Sequence, residues 1–525
     1  MTLLSNQPVG RAVWITVTAV LLIVLSGCVV GPRYHPPSAK VPATVYKESP
    51  TQFTDTNGWT VAKPSDAMLR GKWWEIFNDP ELNALEDQLN INNQNIKLYF
   101  ENYMEARALV RQARAQYFPT LGVAPSINRT RTSTNLRGAG TVNTTGTTTG
   151  TTTTGTTATT QSAQNTVYSL PLEASWEPDL WGRVRNTVRE FQNAAQVSAA
   201  DLENERLVEQ ASLAEYFFEI RGQDELQSLF NETVAADQKA FQLTQSLYEV
   251  GITEQISVIE SQTTLETAQA QATNVGIARA QYEHAIAVLI GKVPPDFSIP
   301  VKPMTVAPPP IPIGVPSQLL ERRPDIAAAE RLMSEANAQI GIAYAAYFPN
   351  LTLSASGGFE SSSFTNWFSW PSRFWSIGPS ISETIFDAGL RRATVQQYAA
   401  AYNADLANYR QTVLAAFQQV EDALAEVRIL STQIQQQQQA VNSSLNYLKV
   451  EEGRYETGID PYVDVLIAQT TLLSNQQNLN NILVERMTAS VALIEALGGG
   501  WDRSQLPGPS QVTQKPASSD TSIQQ

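Results

Sequence analysis

The stretch 454–472, RYETGIDPYVDVLIAQTTL, repeats 247–265, LYEVGITEQISVIESQTTL, with nine of nineteen positions identical at an offset of 207. The same offset joins Gly182 to Gly389 and Ile290-Gly291 to Leu497-Gly498. A 525-residue chain written this way must fold as two related halves. Upstream, AQYFPTL (115–121) matches AAYFPNL (345–351) at an offset of 230, so the first copy carries 23 extra residues. They fall around 141–160, TVNTTGTTTGTTTTGTTATT, fourteen Thr in twenty positions. Such a composition cannot bury enough apolar surface to fold alone and reads as an expanded, exposed loop.

Each copy reads helix, strand, loop, strand, long helix, turn, helix. The strands show period two. Leu121, Val123, Pro125 and Ile127 share one face and Gly122, Ala124, Ser126 and Asn128 the other. Tyr168, Leu170, Leu172, Ala174 and Trp176 alternate with Ser169, Glu173 and Ser175. In the second copy Leu351, Leu353, Ala355 and Phe359 alternate with Thr352, Ser354 and Ser356. Trp375, Ile377 and Ile381 alternate with Ser376, Gly378, Ser380 and Ser382. One apolar face and one small polar face fits a barrel with lipid outside and water inside, although a soluble sandwich alternates too. Four strands cannot close a barrel, and lipid does not tolerate an open edge. If the strands span a membrane, several chains share one barrel. Two would give eight strands and a filled interior, three would give twelve; the polar, small-residue lumen favours three.

From Arg183 to about Leu247 there is no Pro and one Gly, Gly222, so a single helix of about 97 Å is expected. Leu390 to about Glu456 matches it. Helices at 253–290 and 324–347 would extend about 57 and 36 Å, and stacked they would equal one long helix. Frequent Ala and Gln suits close side-by-side packing with a wet face. An ordinary coiled coil is the competing reading, but it does not explain hairpins inserted between the helices.

A net charge of −14 with no long basic run argues against nucleic acid as a partner. Arg11, the apolar run AVWITVTAVLLIVL (12–25) and LSGC (25–28) have the layout of an export signal. LSGC resembles the bacterial lipobox, with Cys28, the sole cysteine, as the acylated residue; an ordinary export signal with a chance Cys is the alternative. No later apolar stretch approaches the length of a spanning helix, so any crossing is made by strands.

Carboxylates such as Glu249, Glu254, Glu260, Asp460 and Asp464 lie on polar helices where charges are ordinarily solvated. His35 and His284 lack companions at metal-binding spacing, and no nucleophile or phosphate-loop motif occurs. Neither an enzyme, a cofactor nor a metal is expected. VPSQLLERRPDIAAAE (315–330) reads as a helix restart, with Ser317 as N-cap and Pro324-Asp325 in the next first turn.

WWEIFNDPELNAL (73–85), ASWEPDLWGRVR (174–185), LLERRPDIAAAE (319–330), ANAQIGIAYAAYFPNLTLSASGG (336–358), IFDAGLRRA (385–393), VEDALAEV (420–427) and the RYETG…AQTTL segment appear in order. Together they resemble the outer membrane factor family, the TolC/OprM-like outer-membrane components of tripartite efflux systems, in its lipoprotein branch. The resemblance implies a mixed, mainly α fold with membrane β: a homotrimeric twelve-strand β-barrel in the outer membrane, continued by a long α-helical barrel through the periplasm. It implies no catalysis. The implied partners are a periplasmic adaptor, an inner-membrane pump and outer-membrane lipid. It places Arg454, Tyr455, Asp460, Val463 and Asp464 at a gated periplasmic aperture, and Tyr248, Gly251, Ile252, Tyr455, Gly458 and Ile459 on adaptor-docking turns. Ile467 stands where relatives often carry an aperture Asp. A protein-secretion duct and a free-standing porin or adhesin remain alternative functions.

The expected organisation is a signal peptide (1–27), an acylated extended segment (28–79) and a first repeat (80–291), a Pro-rich linker (292–315), a second repeat (316–499) and a disordered tail (500–525). The first repeat holds hairpin 119–177 with Thr-rich loop 136–165, long helix 183–247 and helix 253–290. The second holds hairpin 349–386, long helix 390–456 and helix 460–497.

Overall fold

The computed structural model describes residues 29–38, 46–48, 71–131, 164–304, 311 and 319–514. Cys28, the export signal, Ser317 and most of the Thr-rich loop lie outside them. In chain order the elements are α1 (Pro80–Asn92), α2 (Gln94–Ala115), β1 (Thr120–Val123), β2 (Ser126–Arg131), β3 (Gln164–Trp176), α3 (Arg183–Glu249) and α4 (Gln255–Leu289). The second copy gives α5 (Leu319–Arg322), α6 (Pro324–Ala345), β4 (Asn350–Ser361), β5 (Arg373–Ser382), α7 (Leu390–Glu456), α8 (Tyr462–Ala496) and α9 (Pro509–Thr513). The helix restart at ERRPD is present, broken at Arg323, whose guanidinium pairs with Asp325 at 2.6 Å. α3 and α7 have 67 residues each, about 100 Å at 1.5 Å per residue. Among the described residues no helix is long and apolar enough to cross a membrane.

The chain divides into two compact units. The first contains Arg111–Val188 and Ala338–Tyr398 with the segment ending at Pro32. Its strands form one antiparallel sheet in the order β1/β2, β3, β4, β5. β1 and β2 share one unbroken register on β3, from Thr120↔Ser175 to Arg131↔Gln164. The ladder is interrupted where Pro125 and Pro171 each lack an N–H to donate. Register places Leu121, Ala174, Ala355 and Ile377 in one row on one face, and Gly122, Glu173, Ser356 and Ser376 in the next row on the other. The apolar side chains are bare: Trp375 is 80% exposed, Ile377 74% and Leu121 70%. Among the described residues both edges, β1/β2 and β5, are unpaired.

Val29–Gly31 is fixed beside the start of α3. The Val30 N–H donates to the Trp181 carbonyl at 3.1 Å, and the Asn186 amide donates to the Val30 carbonyl. Two glycines allow the close approach: a Cβ on Gly31 would meet the Gly341 Cα at 2.7 Å, and one on Gly341 would meet the Asn186 amide at 2.5 Å.

The second unit contains Arg33–Val110, Arg189–Asn337 and the chain from Ala399 onward. Its core gathers Phe77, Phe217, Phe218, Met333, Val420 and Val491, with the Phe77 and Phe218 rings 4.9 Å apart. A fully buried Asp224 binds Arg221, Arg279 and the Lys302 N–H, which pins the Pro-rich linker to α3 and α4.

The expected boundaries need correction in several places, among them helix 253–290, which runs from Gln255 to Leu289. The end of the 28–79 segment is not extended: Trp73–Phe77 forms a 3-10 turn, with Trp73 and Phe77 fully buried. α3 runs to Glu249 rather than 247, and α8 begins at Tyr462 rather than 460 because Pro461 is its N-cap. The second hairpin's ladder stops at Ser382, short of 386. The tail is ordered through 514: Val512 of α9 is fully buried with Val110 and Ala195, and Arg107 donates to the Gln514 carbonyl at 2.8 Å. Residues 515–525 lie outside the described residues.

Candidate functional site: the two repeated turns

The turns quoted at the outset are built alike. α3 closes with Gly251 N–H donating to the Tyr248 carbonyl and Ile252 N–H to the Leu247 carbonyl, both at 2.9 Å. α7 closes with Gly458 to Tyr455 and Ile459 to Arg454, again both at 2.9 Å. This double bond is the Schellman cap, and it needs a left-handed residue. Gly251 has φ +76° and Gly458 φ +74°. Open space surrounds both, so positive φ alone dictates glycine there. The cap turns the following isoleucine outward: Ile252 is 72% exposed and Ile459 66%.

Around these equivalent backbones the copies diverge. In the second, Arg454 forms a forked ion pair with Asp460 across the turn, Nη2 to Oδ1 at 3.1 Å and Nε to Oδ2. The hydrogen bond from Arg454 holds the Asp460 carboxyl below its ordinary range, while partial burial and the Asp460 charge push Glu451 up. Glu451, Asp460 and Asp464 bring carboxylate oxygens within 4.8 Å of one another. Since Arg454 already supplies a counter-charge, the trio is an ion-paired cluster. Val463 and Ile467 on the same helix are exposed.

Two tyrosines tie this turn to the first repeat. The Tyr455 side chain faces Thr244 on α3; burial raises its pKa and Thr244 offsets part of that rise. Its ring packs on Tyr462 with centroids 5.3 Å apart. Tyr462 is buried, and burial followed by the nearby Asp237 charge raises its pKa. Asp237, also on α3, is itself buried and pushed up, with Oδ2 lacking a partner. Thr244 and Asp237 were missed in the sequence. Their repeat equivalents at the offset of 207 are Glu451 and Ser444, and Tyr462 corresponds to Gln255. Those mismatches were the available signal.

The described residues contain a second acidic group, in a cavity of about 340 Å³ lined by Glu215, Tyr216, Glu219, Tyr282 and Glu426. Burial, then the charges of Glu495 and Glu219, push Glu215 up to about 7. Glu335 is likewise raised to about 7 by burial and by Glu190 and Asp405.

Paired long helices, a repeated capped turn and an edge-open amphipathic sheet define a class of channel subunit, and comparison with known proteins agrees. The family model for outer membrane efflux proteins matches residues 85–292 and 315–499. This chain belongs to the outer membrane efflux protein family. It is 31% identical over 488 residues to the probable efflux pump outer membrane protein TtgC of Pseudomonas putida, covering 92% of this chain and 95% of that one. It is 32% identical to the solvent efflux pump outer membrane protein SrpC of the same species, covering 92% and 98%. Among solved structures, the outer-membrane channel OprN superposes with TM-score 0.77 at 27% identity, covering 90% of this chain and all of that one. The CmeC outer membrane channel of Campylobacter jejuni gives TM-score 0.78 at 22% identity, covering 92% and 97%, and shares the fold.

Proposed function

We propose that the protein is the exit duct of a tripartite efflux pump, a homotrimer whose three sheets close one twelve-strand barrel in the outer membrane. The observation that carries this reading is the sheet: an apolar face laid bare and two unpaired edges, a form that lipid permits only when other copies complete it. A β5 edge meeting the next copy's β1/β2 edge continues the antiparallel order and leaves none open. The serine- and glycine-rich face then lines the lumen. The helical repeats form a periplasmic duct. Cys28 carries the lipid anchor, and the strap from Val29 sets where that anchor leaves the protein.

At the inner end, three chains supply six related tips. Tyr248, Gly251 and Ile252, with Tyr455, Gly458 and Ile459, present the apolar turns to a periplasmic adaptor, which joins the duct to an inner-membrane pump. Arg454, Tyr455, Asp460, Val463 and Asp464 form the gate. With Tyr455 facing Thr244 and Tyr462 beside Asp237, the second-repeat tip lies against α3, and releasing it would swing α7 and α8 outward. Nothing here does chemistry; cargo passes down a gradient set by the pump. Relatives named as toluene, solvent and antibiotic efflux components suggest small apolar toxicants as cargo.

Deleting the gene tests this reading. Sensitivity to several unrelated toxic compounds is expected to rise and to be restored by the intact gene. Unchanged resistance together with a missing secreted polypeptide would favour a protein-secretion duct instead.

A further inference from the structure

The apolar face of the sheet is not apolar throughout. Its charge is confined to one end. Following period two up β1 and β2 gives Leu121, Val123 and Ile127, then Arg129 and Arg131 as the strand reaches its loop. On the opposite edge Arg373 opens β5 immediately after the other hairpin loop; its partner Phe359 and the alternating Trp375 and Ile377 put it on the same face. All three arginines are exposed. At the far end of this face stand Leu351 and Ile381. The strand carboxylates Glu173 and Glu360 alternate onto the opposite face.

Arg129 and Arg373 hydrogen-bond to neutral acceptors, which leave their charges uncancelled. Arg129 Nη2 donates to the Gln164 amide oxygen at 3.0 Å, and Arg373 Nε donates to the Trp370 carbonyl at 3.0 Å. The Arg373 guanidinium also lies over the Trp370 ring. Aromatic rings gather at the same end. Tyr168 packs on Phe364 and Trp367, each at 5.6 Å, and Trp370 and Phe368 are 74% and 62% exposed. Amphipathic rings of this kind sit at the headgroup level of a membrane. A cation beyond such a belt on a lipid-facing wall has its apolar stem in the acyl region and its head among the phosphates.

We propose that Arg129, Arg131 and Arg373 form a docking surface for the phosphate groups of the outer-leaflet glycolipid, lipid A. This rests on the membrane-barrel reading of the sheet. Arginine suits the task because its planar fork binds a phosphate through two parallel hydrogen bonds. Sharing one barrel, three copies would set nine such cations around its outer rim. The glycolipid would then fix the depth of the barrel and seal its outer boundary.

The test is titration of the purified full-length protein in detergent with bisphosphorylated lipid A, read by native mass spectrometry. Wild type is expected to retain lipid A. The triple variant R129Q/R131Q/R373Q should bind on the order of a hundredfold more weakly, and the corresponding triple Lys variant should be intermediate. Lipid A stripped of both phosphates should bind like the Gln variant, and millimolar inorganic phosphate should not displace the lipid. Undiminished binding by the Gln variant, equal binding of dephosphorylated lipid A, or displacement by inorganic phosphate would each overturn the proposal. A nitroxide label at Ile377→Cys, in a Cys28→Ser background in liposomes, separates the two readings. A water-accessible label would remove the membrane barrel itself. A lipid-embedded label with normal lipid A binding by the Gln variant would remove only the arginine surface.

Discussion

Tyr455, in the last turn of α7, faces Thr244 near the end of α3, and its ring packs on Tyr462 beside Asp237 of the same helix, so the second repeat's tip lies against the first repeat's long helix. Tyr455 and Thr244 stand 211 positions apart in sequence. Both helices end in the same Schellman cap, yet only the second carries the Arg454–Asp460 pair. Duplication therefore supplied two like scaffolds, and divergence at a few side chains gave one of them the ion pair.

The caps make a prediction about glycine. Gly458→Ala meets no neighbour and should cost about 1–2 kcal/mol for its left-handed backbone alone. Gly498→Ala has φ +93° and would also drive its Cβ to within 2.1 Å of the Arg322 carbonyl, so it should cost distinctly more. Denaturant midpoints followed by helical circular dichroism would compare them.

The sheet predicts opposite fates for neighbours. Ile377→Lys places a charge on the lipid-facing side and should cost about 2–4 kcal/mol near the bilayer midplane. Ser376→Lys points to the lumen and should be tolerated. Trimer yield from membranes, judged by unheated gel mobility, would show whether the two differ.

Most of the architecture was legible because it rests on periodicity. Period two in 121–127, 168–176, 351–359 and 375–382 gave the two sheet faces, and the long Pro-free stretches gave α3 and α7. The ladder break needed both prolines at once, since Pro125 and Pro171 meet only in the register. Val512 shows the limit for the tail: a Pro/Ser/Gln-rich composition reads as disordered, but one buried valine and a few backbone acceptors suffice to hold α9. The site was half legible. Arg454, Asp460 and the glycines lie within one copied stretch, whereas Asp237 and Thr244 reach it only through helix packing.

The raised carboxyls predict a pH dependence. Glu215 and Glu335 titrate near 7 in the fold, above their ordinary value of 4.5. The folded state thus binds more protons between these values, and stability should fall as pH rises from about 4.5 to 7, then level off. Glu215→Gln should flatten that slope and raise stability at pH 8, measured as the shift in thermal midpoint between pH 5 and pH 8.

Cys28 predicts a covalent lipid. Labelled palmitate should enter the wild-type protein and be absent from Cys28→Ala. Because the Val30–Trp181 and Asn186–Val30 hydrogen bonds do not depend on acylation, the variant should still assemble.

The most direct measurement is the conductance of single trimers in planar bilayers. Arg454→Ala combined with Tyr455→Phe removes the ion pair and the hydroxyl that faces Thr244 at exposed or half-exposed positions, where little folding stability resides. Wild type should show a small, mostly closed conductance, and the double variant a several-fold larger and more persistent one. An unchanged conductance in a correctly assembled double variant, or a wild type that is constitutively wide open, would contradict the second-repeat turn as the gate.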